Sequence, residues 1–294
     1  SSELNEVDSD KDYASEDSAD NDDGFSEILT KRLGESAGEK RTSVAQEILQ
    51  TETEYMEMLN IVQKEFKSPL NAALKSNRAI ISLPNIKALF DDMETLFDIS
   101  SVMLNELSKR LQKNKWNSHQ CLGDIFMKFT TTSRAYTNFL NNYPITLTTL
   151  QRCKEQNPQF RSFLSRHEKQ PNTKMMSFAE FLLLPGQRVK SYVDLLQRFL
   201  RHTPKDHVDR KLLFEAINKI QDLADIFKQY EERLTREKFL QRLQTTIGNC
   251  PVLSEKGRHF ICSEDFALLS SPTTGKQVKP EYRYCNRFSS ESST

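Results

Sequence analysis

The chain has 294 residues, 37% of them hydrophobic, and its 41 Lys and Arg offset 41 Asp and Glu, so it has room for one large domain or two ordinary ones and a core over part of its length. Its 8 glycines never take the spacing of a phosphate-cradling loop, and no apolar run nears the roughly 18 residues of a membrane span. The first residues are acidic and lack the apolar core of a secretion signal, so a cytoplasmic location is expected.

The zero net charge is unevenly distributed: residues 1–40 hold 13 acidic and 4 basic side chains, leaving 28 acidic and 37 basic in 41–294. Residues 1–24 have almost no large apolar side chains to offset the entropy of ordering, so 1–40 is expected to be an acidic, mostly disordered leader. Within it, Phe25, Ile28, Leu29 and Leu33 form a short amphipathic patch at helical spacing. From about 42 the pattern turns to long helices. Val44, Ile48, Tyr55, Leu59, Val62 and Phe66 recur every three or four residues behind an N-cap at Thr42 or Ser43, which predicts one helix of about 25 residues. A second stripe runs from Ile86 to Leu111 behind Pro84, which a first turn tolerates. Further helical patterns cover roughly 118–141, 144–155, 158–166, 174–202 and 206–245, and Pro185 beside Gly186 should delay or kink the helix in 174–202. Residues 41–245 therefore read as an all-α bundle. After Gly248, Pro251 and Gly257, short alternating stretches at 258–263 and 281–285 fit two or three strands, although 246–294 is short for an independent domain and reads equally as an extended tail.

Catalytic signatures are weak. The five histidines do not pair at a spacing that would put two ligands on one helical face, and His202 and His207 flank a T-P-K-D turn as ordinary loop residues. The five scattered cysteines include no C-x-x-C, and no H-E-x-x-H occurs, so no metal or other cofactor is expected. Basic residues are interleaved with acidic ones, as in Arg233 and Arg236 among Glu231, Glu232 and Glu237, which argues against nucleic-acid binding. Glu47, Thr51, Glu54 and Met58 share a face of the first helix away from its apolar stripe. That face is either a plain solvated surface or one available to a partner.

Three ordered stretches resemble the Dbl-homology (DH) domain of Rho-family guanine nucleotide exchange factors. V-A-Q-E-I-L-Q-T-E-T-E-Y-M-E-M-L at 44–59 is similar to the family's first block. L-G-D-I-F-M-K-F at 122–129, with Tyr136 and N-P-Q-F-R-S-F-L at 157–164, resembles the middle block. L-L-L-P-G-Q-R-V-K-S-Y-V-D-L-L-Q-R-F-L-R-H-T-P at 182–204, followed by D-H-V-D-R-K-L-L, resembles the third. The resemblance covers about two thirds of the chain. It implies an elongated bundle of about six long helices that grips the switch regions of a Rho-family small GTPase and promotes GDP release without covalent chemistry.

Carried over by position, the resemblance implies GTPase contacts at Glu47, Thr51, Lys190, Ser191 and Asp225, and framework roles for Gln187 and Arg188. Ser191 stands where the family usually has Lys or Arg, and Lys190 is turned about 100° around the helix from it. Asp225 stands where the family has an asparagine, and a carboxylate cannot donate a hydrogen bond. These two departures leave open a weakly active scaffold with the same fold. Residues 246–294 resemble at most the start of an incomplete pleckstrin-homology domain, without a dense basic loop for phosphoinositide membranes.

Overall fold

The computed structural model describes residues 22–112, 116–117, 119–246, 258–268 and 281–290; for 22–37, 246 and the last two segments it describes the backbone alone. The chain divides into two compact units, residues 1–221 and 222–294.

The first unit is helical. Helix α1 (Asp22–Ile61) passes through a π-helical segment (Val62–Lys67) into α2 (Ser68–Lys75). Then come α3 (Leu83–Arg110), α4 (Gly123–Thr130), α5 (Ser133–Gln156), α6 (Pro158–His167), the short α7 (Phe178–Phe181), α8 (Leu184–Arg201) and α9 (Arg210–Thr246), which continues into the second unit. Five of these are 18 residues or longer, and the others continue or lead into them. Helix α1 packs on α3 and α8, α3 on α5, and α5 on α6. The stripe read from the sequence is the buried one: Val44, Ile48, Tyr55, Leu59, Val62 and Phe66 all lie in the core. Phe66 meets Phe178 and Phe181 at ring separations of 5.4 and 5.7 Å, and Tyr192 of α8 lies edge-on to Phe126 and Phe129 at 5.7 and 5.0 Å. These rings join elements far apart in sequence into one core.

Several boundaries differ from expectation, for local reasons. The first helix does not start at an N-cap at Thr42 or Ser43. It is already helical from Asp22, and the Thr42 hydroxyl donates to the Gly38 carbonyl at 2.9 Å as a mid-helix threonine does. Helix therefore covers part of the leader expected to be mostly disordered, whereas residues 1–21 lie outside the described residues. The helix expected over 118–141 is two helices, because Thr130, Thr131 and Thr132 each turn a hydroxyl back to the carbonyl three residues earlier, all at 2.7 Å. Those bonds tighten the end of α4 and let α5 set off separately. Conversely, Pro144 does not end a helix; it lies inside α5. Pro185 sits in the first turn of α8, which starts late as expected because that position needs no N–H donor.

In the second unit, β1 (Arg258–Leu268) and β2 (Glu281–Ser290) pair antiparallel from Arg258↔Ser290 to Leu268↔Glu281, with an irregularity between Phe260 and Cys262. Both strands include the alternating stretches seen in the sequence and extend beyond them. Among the described residues no helix is long and apolar enough to cross a membrane.

Candidate functional site

The two helices that carry the first and third sequence blocks, α1 and α8, lie side by side and enclose a groove of ≈ 590 Å³. Its walls follow from helical periodicity. Glu47, Thr51, Glu54 and Met58 stand at i, i+4, i+7 and i+11 on α1, and Gln187, Ser191, Asp194 and Arg198 repeat the same spacing on α8. Each set is the polar edge left when its helix turns an apolar stripe inward. Lys174, just before α7, adds a further cation to the rim.

At one end of the groove, Glu47 and Arg198 form a fork. Arg198 Nη1 donates to Glu47 Oε1 at 2.7 Å and Nη2 to Oε2 at 2.6 Å, with both side chains about 40% exposed. The hydrogen bonds from Arg198 hold the Glu47 carboxyl below the usual carboxylate range and raise the arginine. Thr51 spends its hydroxyl within α1, donating to the Glu47 carbonyl at 2.8 Å. Ser191 does likewise within α8, donating to the Gln187 carbonyl at 3.0 Å.

Beneath the groove floor a second pair is sealed in. Glu52 is fully buried, Arg188 is 6% exposed, and their charged groups meet at 2.7 Å. Arg188 Nε also donates to Glu52 Oε2 at 2.9 Å, and the Tyr192 hydroxyl donates to the same oxygen at 2.6 Å. Burial raises the Glu52 carboxyl, against the pull of Arg188 and Tyr192. Burial also disfavours the Arg188 charge, but Tyr192 and Glu52 outweigh it and keep the guanidinium charged. The Arg188 guanidinium lies over the Tyr192 ring at 4.3 Å.

A third node closes the end of the seam. Arg41, 1% exposed, donates to Thr203 Oγ1 at 3.1 Å, to the Gln120 carbonyl at 2.8 Å and to Asp209 at 3.3 Å. The backbone N–H groups of Leu122 and Gly123 donate to the two oxygens of Asp209, both at 2.8 Å. Gly123 is required here: a Cβ would stand 2.6 Å from Asp209 Oδ1 and 2.8 Å from the Leu213 nitrogen. The three nodes show that α1 and α8 run antiparallel, since positions 41, 47 and 52 meet 203, 198 and 188 in turn.

The residues singled out in the sequence fall into three places. Glu47, Thr51, Gln187 and Ser191 line the groove together. Arg188 borders it from within the core, whereas Lys190, half-buried on α8, does not line it. Asp225 is exposed on α9 in the second unit. Sequence reasoning missed Arg198, Glu52, Arg41 and Asp209. Glu52 could have been found, because an acid at 52 interrupts an apolar stripe that passes through 48, 55 and 59. Arg198 left no such trace, because only the packing of α8 on α1 brings it to Glu47.

The RhoGEF domain family model matches residues 44–228. Among curated proteins, the chain is 29% identical over 223 residues to the guanine exchange factor for Rac 30 of Dictyostelium discoideum, covering 76% of this chain and 13% of that protein. It is 26% identical over 212 residues to protein ECT2 of Homo sapiens, covering 72% of this chain and 23% of that protein. The chain thus spans less than a quarter of the length of these curated relatives. Among solved structures, the DH domain of FARP2 matches with a TM-score of 0.59 at 23% identity, covering 70% of this chain and 97% of that one. The DH/PH domains of PDZ-RhoGEF, in complex with activated RhoA, match with a TM-score of 0.58 at 15% identity, covering 86% and 72%. These structural likenesses bear on the fold alone. The family match takes in α8 and the groove-lining part of α1 and spans more than half of the sequence, and on that ground the chain belongs to the RhoGEF (Dbl-homology) domain family.

Proposed function

We propose that this chain is a guanine nucleotide exchange factor that binds a Rho-family small GTPase across the groove between α1 and α8 and promotes release of GDP. The observation that carries this reading is the convergence of Glu47 and Thr51 with Gln187 and Ser191 in one exposed groove inside the matched segment. Such a factor needs no nucleophile. It needs a surface that binds the nucleotide-free GTPase more tightly than the GDP-bound form, because only differential affinity shifts that equilibrium. The names of relatives that act on Rac, and of a solved complex with RhoA, support small GTPases as the partner class. Asp225 on α9 is a separate proposed GTPase contact, and Lys190 of α8 adds a cation beside the groove. A Rho-family partner is also consistent with the expected cytoplasmic location. Residues 41–245 would form the exchange domain, and the β1–β2 hairpin would open a pleckstrin-homology domain.

Release of fluorescent GDP from Rac and RhoA tests the proposal. Acceleration by the intact chain, lost in Glu47→Ala, is the expected result, whereas unchanged release from a panel of Rho-family GTPases would sink it. One observation favours a second reading, that of a scaffold which binds without stimulating exchange. Ser191 gives its hydroxyl to its own helix and offers no cation to a partner. Stable binding to nucleotide-free GTPase with no faster GDP release would select that reading.

A further inference from the structure

Within the groove, the two helices present one cation to the open surface among the described residues. Arg188 is turned into the core by Glu52, and Lys174 comes from the turn before α7, which leaves Arg198 as the basic side chain that α8 presents to the open groove. Arg198 stands two turns beyond Ser191 on the same edge and engages both oxygens of Glu47 in a planar, bidentate arrangement. That geometry has a specific effect on an exposed carboxylate. A free glutamate on a helix surface samples several rotamers, and fixing it on binding costs about 0.5–1.5 kcal/mol. A guanidinium fork removes that freedom beforehand while using two of the roughly four acceptor sites of the carboxylate. The remaining lone pairs stay available at the groove, where both side chains are about 40% exposed.

We propose that Arg198 is a positioning residue for the exchange reaction: it holds the Glu47 carboxylate in the orientation that accepts hydrogen bonds from the GTPase, and it acts only through Glu47. This inference rests on the exchange reading above. It assigns a role to a residue that makes no proposed contact of its own. The opposite role, in which Arg198 competes with the GTPase for Glu47, would require the fork to occupy the whole carboxylate. The bidentate geometry does not do so.

The test uses the intact chain and GDP release from Rac and RhoA, with Arg198→Ala, Arg198→Lys, Glu47→Gln and the double variant Glu47→Gln/Arg198→Ala. Arg198→Ala should slow exchange about two- to fivefold, the range an exposed ion pair can carry. Arg198→Lys should fall between it and the parent, because an ammonium keeps the charge and loses the fork. On the Glu47→Gln background, removing Arg198 should change nothing further. A carbon-13 titration of the Glu47 carboxyl without GTPase gives an independent readout. It should report a depressed pKa in the parent chain and a return toward the ordinary carboxylate value in Arg198→Ala. Faster or unchanged exchange in Arg198→Ala would overturn the inference. So would an equal loss on both backgrounds, or a Glu47 titration that ignores Arg198. Loss of exchange in Glu47→Gln with a normal rate in Arg198→Ala would leave the exchange reading standing and remove this one. No exchange by the parent chain would remove both.

Discussion

Two ion pairs of the same chemistry bridge α1 and α8, one beneath the groove floor and one at its rim. Glu52–Arg188 has almost no contact with water, while Glu47–Arg198 is about 40% exposed on both sides. Burial makes the first pair indispensable without making it a strong source of stability. Its charges lost their hydration on folding, and removing either partner strands the other in the core. The rim pair keeps much of its hydration, so it contributes little to folding and its carboxylate remains accessible. One seam thus separates the charge that fixes the helices from the charge that can meet a partner.

The largest effect should come from breaking the buried pair. Glu52→Ala or Arg188→Ala should destabilise the chain by about 3–5 kcal/mol, seen as a lower urea midpoint, and exchange should fail through loss of fold. An Arg188→Ala midpoint close to that of the parent would erase the distinction between the two pairs. Next comes Gly123→Ala, whose added methyl would meet a fixed carboxylate and a backbone nitrogen, neither of which yields easily. A loss of about 1–3 kcal/mol is expected by equilibrium unfolding. Ser177→Ala should cost about 1 kcal/mol, since Ser177 and Glu180 cap α7 reciprocally, and a thermal melt should register it. Smallest for stability is Glu47→Ala, at about 1 kcal/mol or less, and yet this variant should lose most exchange activity.

The two carboxyls should also titrate in opposite directions by carbon-13 NMR. Glu47, lowered by Arg198, should remain ionised below the ordinary carboxylate range, so its contribution to stability is present above the unfolded-state pKa and lost as pH falls through the depressed value. Glu52, raised by burial, has the reverse sign: its contribution is full below the unfolded-state pKa and declines as pH rises through the raised value. Finding both on the same side of the ordinary value would contradict the contrast in environment.

Much of this arrangement could be read from sequence, and the remainder had identifiable physical causes. The apolar stripe from Val44 to Phe66 and the late start of α8 at Pro185 follow from periodicity and from the chemistry of proline, both of which are local. Glu47 and Thr51 were placed on an open face by the same spacing. The missed α4–α5 break depended on three threonine hydroxyls turning back on their own helix, a competition that propensity alone does not resolve. Pro144 lies within α5, which runs unbroken through the gap expected between the helical patterns at 118–141 and 144–155. Arg198 and Asp209 acquire their roles from segments 151 and 168 residues away, and no local pattern encodes such a pairing.

The π-helical segment at Val62–Lys67 also bears on how this chain could change in length. The buried positions Val62, Phe66 and Leu70 are spaced by four, wider than the 3.6 of a regular α-helix, so the two turns between Val62 and Leu70 hold close to one residue more than α geometry would place there. Deleting one residue from Gln63–Glu65 would let this stretch relax to an ordinary α-helix with Phe66 and Leu70 still facing inward. The same deletion at Thr53 would rotate everything beyond it by about 100°, carrying Val62 and Phe66 out of the core. The wide turn is therefore the place in this long helix where a residue can be lost or gained while the surfaces on either side stay aligned.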